Sequence, residues 1–223
     1  MEAEPRVETD EVNVVLVDDH DLFRSGLRDI LEDQGVTVVG EADNGERGAE
    51  LVAEFAPDVA VMDLNMPGIG GIEATRRIAA QSPATHVLVL TISSDDDSIM
   101  QAMMAGASGY MLKDASVEEL TAGIRAAAAG ESSISPRIAS KLLVWLREGR
   151  AEQRVPDAAQ AQLSVREIEV LRLLAAGKGN AEIAQDLFIS PKTVKNHIAS
   201  ILVKLQIENR IQAAVYAVRS GII

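Results

Sequence analysis

The chain has no cysteine, which excludes disulfides and thiolate metal sites and fits a cytoplasmic protein. It has no apolar run approaching the roughly 18 residues that a membrane helix needs. Met1 to Asp10 is acidic and lacks the apolar core of an export signal, so it reads as a disordered tail. No internal repeat is evident. With 47% hydrophobic residues among 223, and a mean hydropathy of +0.08, the composition is that of a soluble globular protein long enough for two cores.

Positive charge is scarce overall, the net charge being −13, but the scarcity is uneven. Residues 163–223 hold eight Lys and Arg against five Asp and Glu, whereas residues 1–162 hold 13 against 29. An acidic first part suits cations and repels DNA; the basic second part can approach phosphates.

Strand patterns at 12–18, 36–39, 59–63, 87–91 and 109–112 alternate with helical patterns near 21–34, 44–55, 70–81, 95–105 and 116–129. Five βα units in sequence imply a doubly wound parallel α/β sheet. After Gly130 the strand signals stop. Ser132 to Pro136 reads as a turn, a helix near 136–148 carries Ile138, Leu142, Trp145 and Leu146 on one stripe, and Gly149 to Gln162 reads as a flexible linker.

Polar residues stand at the ends of the apolar runs. Asp18 and Asp19 follow Val12–Val17, Asp63 follows Val59–Met62, Thr91 follows Val87–Leu90, and Lys113 follows Tyr110–Leu112. Parallel strands deliver their carboxyl ends to one edge, where ligands of such sheets bind. An Asp after a strand is often only a helix N-cap, and for any single one of these residues that is the better reading. Together they form a constellation. Three clustered carboxylates demand a proton or a cation, and oxygen-only donors favour a hard ion, for which Mg²⁺ is the economical choice. Asp63, alone at the tip of a central strand, is the candidate nucleophile for an aspartyl phosphate, with Lys113 neutralising charge on the transferred oxygens. Flavin binding is disfavoured, because Asp18-Asp19-His20 stands where a phosphate-cradling loop is expected. His20 and His86 have no assigned role, a solvent-facing or satisfied His being commoner than a ligand.

Val15-Leu16-Val17-Asp18-Asp19-His20, Asp63-Leu64-Asn65-Met66-Pro67-Gly68 and Gly109-Tyr110-Met111-Leu112-Lys113-Asp114 resemble the receiver domain of two-component response regulators, in particular the NarL/FixJ family. The resemblance covers about residues 11–130. It implies a flavodoxin-like sheet of order 2-1-3-4-5, phosphorylation of Asp63 by a sensor histidine kinase, and Mg²⁺ held by Asp18 or Asp19, Asp63 and the backbone carbonyl of Asn65. It also gives Thr91 and Tyr110 a switch role, the hydroxyl turning toward the phosphoryl group and the ring moving inward. Taken singly, Tyr110 reads as an edge-strand aromatic.

From Leu163 the pattern becomes four short helices. Ile168, Leu171, Leu174 and Ala175 give one buried face and Ile183, Ala184 and Leu187 another; Ser190 is set to cap a third helix with Pro191 at its first position. In that helix Val194, Ile198, Ile201, Leu202 and Leu205 form an inward stripe. Lys192, Lys195, Asn196 and Ala199 lie on another face, and no acid occurs between Pro191 and Ile207. Two lysines and an asparagine commonly mean a solvated face, but a short preceding helix and turn favour major-groove reading. Leu163 to Glu167 and Ser190 to His197, including Thr193, resemble the LuxR-type helix-turn-helix. Gly179 departs from the usual Ser or Thr before Asn180, and Ala199 from a longer polar residue.

The reading is a phosphorylation-switched transcriptional regulator and not an enzyme. Its expected parts are a tail over 1–10, a receiver over 11–130, a linker over 131–162 and an all-α DNA-binding unit over 163–223. Expected partners are a sensor histidine kinase, double-stranded DNA, a second copy when phosphorylated, meeting through Ile211, Ala214, Val215 and Val218, and RNA polymerase; no membrane is expected. The alternatives are a receiver-like module governed by a partner instead of phosphate, and an Asp-nucleophile phosphatase.

Overall fold

Runs such as Val12-Asn13-Val14-Val15-Leu16-Val17 are apolar at nearly every position, so a strand built from them needs both of its faces covered. The computed structural model, which describes residues 12–134, 163–207 and 209–222, covers them. The strands are β1 (Val12–Val17), β2 (Val36–Ala42), β3 (Val59–Met62), β4 (His86–Thr91), β5 (Gly109–Leu112) and β6 (Ser133–Ile134). All pair in parallel, in the order β2-β1-β3-β4-β5-β6. The order expected for the first five is thus observed. The turn expected at Ser132–Pro136 is corrected in part, since Ser133 and Ile134 pair with Gly109 and Tyr110. Two residues are too few to leave a periodic mark.

Alternation along β1 sorts the layers. Val14 and Leu16 share a buried cluster with Leu27 and Leu31 of α1 (Asp21–Asp33) and Leu120 and Ile124 of α5 (Val117–Ala128). Val15 and Val17 pack instead with Leu51 and Val52 of α2 (Gly45–Phe55) and Ala74 and Ile78 of α3 (Gly70–Gln81). Across the same face, Val89 and Tyr110 lie under Ile99, Ala102 and Met103 of α4 (Asp96–Met104). β3 is flanked by β1 and β4, so its tip is central to the sheet. One close approach fixes that tip: a Cβ on Gly71 would lie 1.9 Å from the Asp63 carbonyl, so only glycine lets α3 start there.

The second part contains α6 (Val165–Ala175), α7 (Asn180–Leu187), α8 (Pro191–Leu205) and α9 (Arg210–Arg219). Ser164 and Ser190 cap α6 and α8, and Pro191 opens α8, as its sequence indicates. The expected stripe is inward: Val194, Ile198, Ile201 and Leu205 are buried with Leu171, Leu174 and Ile183. Buried Glu167 is an addition that periodicity does not reveal. It accepts hydrogen bonds from Ser200 Oγ at 2.6 Å and Lys204 Nζ at 2.7 Å. Desolvation works to raise its pKa, but these donors and the cap at Ser164 outweigh it and hold the carboxyl at about 2.

The expected tail over 1–10 and the linker helix containing Trp145 lie outside the described residues. Among the described residues no helix is long and apolar enough to cross a membrane.

Candidate functional site

The carboxyl ends of β1, β3, β4 and β5 bring the expected residues together. Lys113 Nζ stands 2.6 Å from Asp18 Oδ2 and 2.7 Å from Asp63 Oδ2. Both acids are buried, at 5% and 2% exposure. Burial alone would lower the Lys113 pKa, yet the hydrogen bonds and charges of Asp18 and Asp63 turn the net shift upward. The ammonium is fixed as a cation between two carboxylates. Phe23 adds a face that sequence reasoning missed: its ring centroid lies 4.5 Å from Lys113 Nζ.

Asp19 completes the acidic cluster with a half-buried side chain. Its Oδ1 is buried and accepts no well-directed hydrogen bond, although His20 Nδ1 lies 2.8 Å away. Oxygen atoms of Asp18, Asp19 and Asp63 and a ring nitrogen of His20 come within 4.8 Å of one another. An orphaned carboxylate oxygen in an oxygen-rich cluster fits a hard divalent cation. His20, given no role by its sequence context, thus sits against the cluster, with its backbone N–H and ring both facing Asp18 Oδ1. Its ring is otherwise largely exposed.

Asn65 donates its backbone N–H to Asp63 Oδ1 at 3.3 Å, and its side-chain amide reaches Thr91 Oγ1 at 3.3 Å. Thr91 is fully buried and also accepts from the Ser93 N–H. Tyr110 is no edge aromatic: β6 lies outside β5, and the ring is buried beneath α4. Its hydroxyl donates to the Ser93 carbonyl at 2.8 Å, and burial, aided by the Asp95 charge, pushes its pKa up to about 12.

On α8, Lys192, Lys195, Asn196 and Ala199 are all exposed and line up as their spacing requires. Thr193 is half-buried and committed to the cap, its N–H donating to Ser190 Oγ at 3.1 Å.

Residues 14–125 match the family "Response regulator receiver domain", and residues 161–217 match "Bacterial regulatory proteins, luxR family". The transcriptional regulatory protein LiaR of Bacillus subtilis is 43% identical over 213 residues, spanning 95% of this chain and 99% of LiaR. The chain belongs to the two-component response regulators. Phosphorylation-controlled transcription is the role of that family. The crystal structure of the response regulator ChrA of a heme-sensing two-component system resembles the regulator at 37% identity and TM-score 0.52, over 96% of this chain and 99% of ChrA. A structure of two RcsB dimers bound to two parallel DNAs aligns at 28% identity and TM-score 0.54, over 94% and 98%.

The regulator's two halves also touch, which its sequence does not announce. Asn209 Nδ2 donates to the Met103 carbonyl at 3.0 Å, Glu131 accepts from the Asn180 N–H at 3.1 Å, and Ile211 is buried in the cluster of Ile99, Ala102 and Met103. Ile211 was expected on a dimer face. Here α4 covers it.

Proposed function

We propose that Asp63 is the phosphoacceptor and that its modification controls DNA binding by α8. The observation that carries this is the position of Lys113 Nζ, within 2.7 Å of Asp63 Oδ2 at the tip of the central strand. In the transfer an Asp63 carboxylate oxygen forms a bond to phosphorus while the bond from phosphorus to the donating imidazole nitrogen of a sensor histidine kinase breaks. Lys113 meets the charge on the phosphoryl oxygens. Asp18, Asp19, Asp63 and the Asn65 carbonyl are the residues that would hold Mg²⁺, which when bound supplies positive charge to the same oxygens. Thr91 Oγ1, which accepts from Asn65 and Ser93, would turn toward the new phosphoryl group. Loss of its present bonds would be felt at Ser93, to which Tyr110 is tied. The family role is regulatory, and the only hydrolysis in this reading is slow loss of the regulator's own phosphoryl group.

The output is sequence-specific binding of double-stranded DNA by Lys192, Thr193, Lys195, Asn196 and Ala199. Support comes from the acid-free face of α8 and from the RcsB–DNA structure with which the chain aligns along 94% of its length. In the present arrangement Lys195 and Ala199 border a narrow space facing the first half of the chain. A duplex whose major groove alone is about 12 Å wide cannot enter it. Phosphorylation therefore has a docked state to release, with α9 then free to pair with a second copy. The working units are residues 11–130 and 163–223, joined by 131–162, acting in the cytoplasm and handing their output to RNA polymerase.

The test is incubation with acetyl phosphate and Mg²⁺, followed by intact-mass measurement and DNA binding. One acid-labile phosphoryl group and tighter DNA binding are expected, both lost in Asp63→Ala. Full labelling of that variant would remove Asp63 from the role.

A further inference from the structure

A cavity of about 250 Å³ lies between the two halves of the chain. One wall comes from His86 at the start of β4, Ser108 before β5 and the turn after α5; the other comes from α7, α8 and the start of α9. His86 pairs with Val59, the first residue of β3, so this cavity lies at the edge of the sheet opposite Asp63. It is separate from the phosphorylation site. Clefts between domains are frequent places for small ligands.

Its chemistry is selective. Two cations reach it, Lys195 and Arg210, against one acid, Glu131, whose carboxylate already serves the Asn180 N–H. Arg210 is half-buried, and its guanidinium donates to neutral oxygens, the Lys178 carbonyl at 2.9 Å and Asn180 Oδ1 at 3.4 Å. Among the described residues neither Lys195 nor Arg210 has a carboxylate within ion-pair distance. Burial works against the Arg210 charge, and the Glu131 carboxylate offsets only part of that cost from beyond ion-pair distance, so an anion brought into direct contact would recover more of it. Much of the remaining wall is apolar, including Pro83, Ala129, Ile198 and Leu202. A dry cavity of about 150 Å³ takes benzene, so the volume here admits a ring system with a carboxylate.

We propose that this cavity binds a small aromatic carboxylate whose anionic group is held by Lys195 and Arg210, and that the bound molecule keeps α8 docked and opposes DNA binding. The second clause rests on the DNA-reading role of α8 given above; the first does not. A ligand touching both halves stabilises only the state in which they meet, and by reciprocity DNA must weaken its binding by the same factor.

The test uses 1-naphthoate and its neutral analogue 1-naphthamide, titrated calorimetrically into the full unphosphorylated chain without DNA. Saturable one-to-one binding of the naphthoate, at least tenfold tighter than the amide, is expected. Lys195→Met, at an exposed position that spares the core, should weaken it at least tenfold with an unchanged circular dichroism spectrum. Equal binding of acid and amide, absence of saturation, or unaltered affinity in Lys195→Met would overturn the site. DNA titrations of the parent chain with and without naphthoate separate the two clauses: DNA affinity lowered by naphthoate supports the opposing role, and affinity unchanged by it rejects that role while the calorimetry stands on its own.

Discussion

Asn209 and Met103 stand 106 residues apart and are joined by a hydrogen bond, the Asn209 side-chain amide donating to the Met103 carbonyl at 3.0 Å. The same asparagine caps α9, its Oδ1 accepting the Gln212 N–H at 2.8 Å. One side chain therefore serves the tail's own fold through its oxygen and the docking onto α4 through its nitrogen. Ile211 buries its side chain beside them, in the cluster that holds Tyr110. The residue expected to sense phosphorylation and the residue that docks the tail thus share one packed group.

Asn209→Asp separates the two roles. The carboxylate keeps the cap, while an oxygen faces the Met103 carbonyl where a donor stood. The Met103 carbonyl still accepts from the Gly106 N–H at 3.2 Å and Gln212 Nε2 at 3.4 Å, so the cost comes from setting a buried carboxylate oxygen against it, roughly 1–3 kcal/mol. Unphosphorylated Asn209→Asp should bind DNA about 5- to 150-fold more tightly than the parent, the range such couplings span. Gel-shift titration decides it, and unchanged affinity would mean that docking does not restrain DNA binding.

Lys113→Met tests the acidic cluster. Without the ammonium, Asp18 and Asp63 remain buried as unpaired carboxylates, and breaking a buried ion pair costs roughly 3–5 kcal/mol. A cation that binds only the folded state returns stability according to its concentration over its Kd. The variant should melt lower than the parent in EDTA, and excess Mg²⁺ should recover a larger part of the difference than it adds to the parent. Melting temperatures of parent and variant that both stay unchanged on adding Mg²⁺ would deny these carboxylates the ion.

The sheet and the strand-tip cluster were legible because each polar residue ends an apolar run, and a parallel sheet can only collect such ends at one edge. The α8 stripe was legible for a similar reason, its period being written into consecutive turns. Long-range polar pairs leave no such trace. Nothing local marks Phe23 as the ring beside Lys113, Glu167 as a buried acid awaiting Lys204, or Asn209 as a partner of Met103. The dimer reading of Ile211 shows the limit clearly, since an apolar stripe states that a surface will be covered without saying by what.

His86 makes docking depend on pH. Its ring faces Ser108 Oγ at 3.3 Å, and Lys195, Arg210 and Glu131 border the same cavity. Burial first, and then the Lys195 charge, lower its pKa below 6.5 against a smaller upward pull from Asp58. In the docked state the ring stays neutral to lower pH than in the undocked state. Docking is thus unaffected well above pH 6.5 and weakens as pH falls below it, by up to about 1.4 kcal/mol per unit until the docked-state pKa is reached. Hydrogen exchange of α8 in the unphosphorylated chain should quicken between pH 7 and 5.5 beyond the intrinsic trend, and His86→Gln should remove the excess. An excess that survives in the variant would assign the effect to another group.

The face of α8 divides into residues that meet the docked domain and residues that do not, and DNA binding can tell them apart. Lys195 and Ala199 border the interdomain cavity, whereas Lys192 and Asn196 do not. If Lys192 meets phosphate, Lys192→Ala should weaken binding similarly on all sequences and reduce the salt slope by about one. Asn196→Ala removes a candidate adenine contact and should cost roughly 1–3 kcal/mol on the preferred site alone. Lys195→Ala should show both a loss on phosphorylated protein and a changed difference between phosphorylated and unphosphorylated protein, because it alters each side of the docking equilibrium. Salt-dependent titrations of the three variants in both phosphorylation states supply the comparison. Equal, small losses throughout would reduce this face of α8 to a solvated surface and move the DNA-reading role elsewhere in the tail.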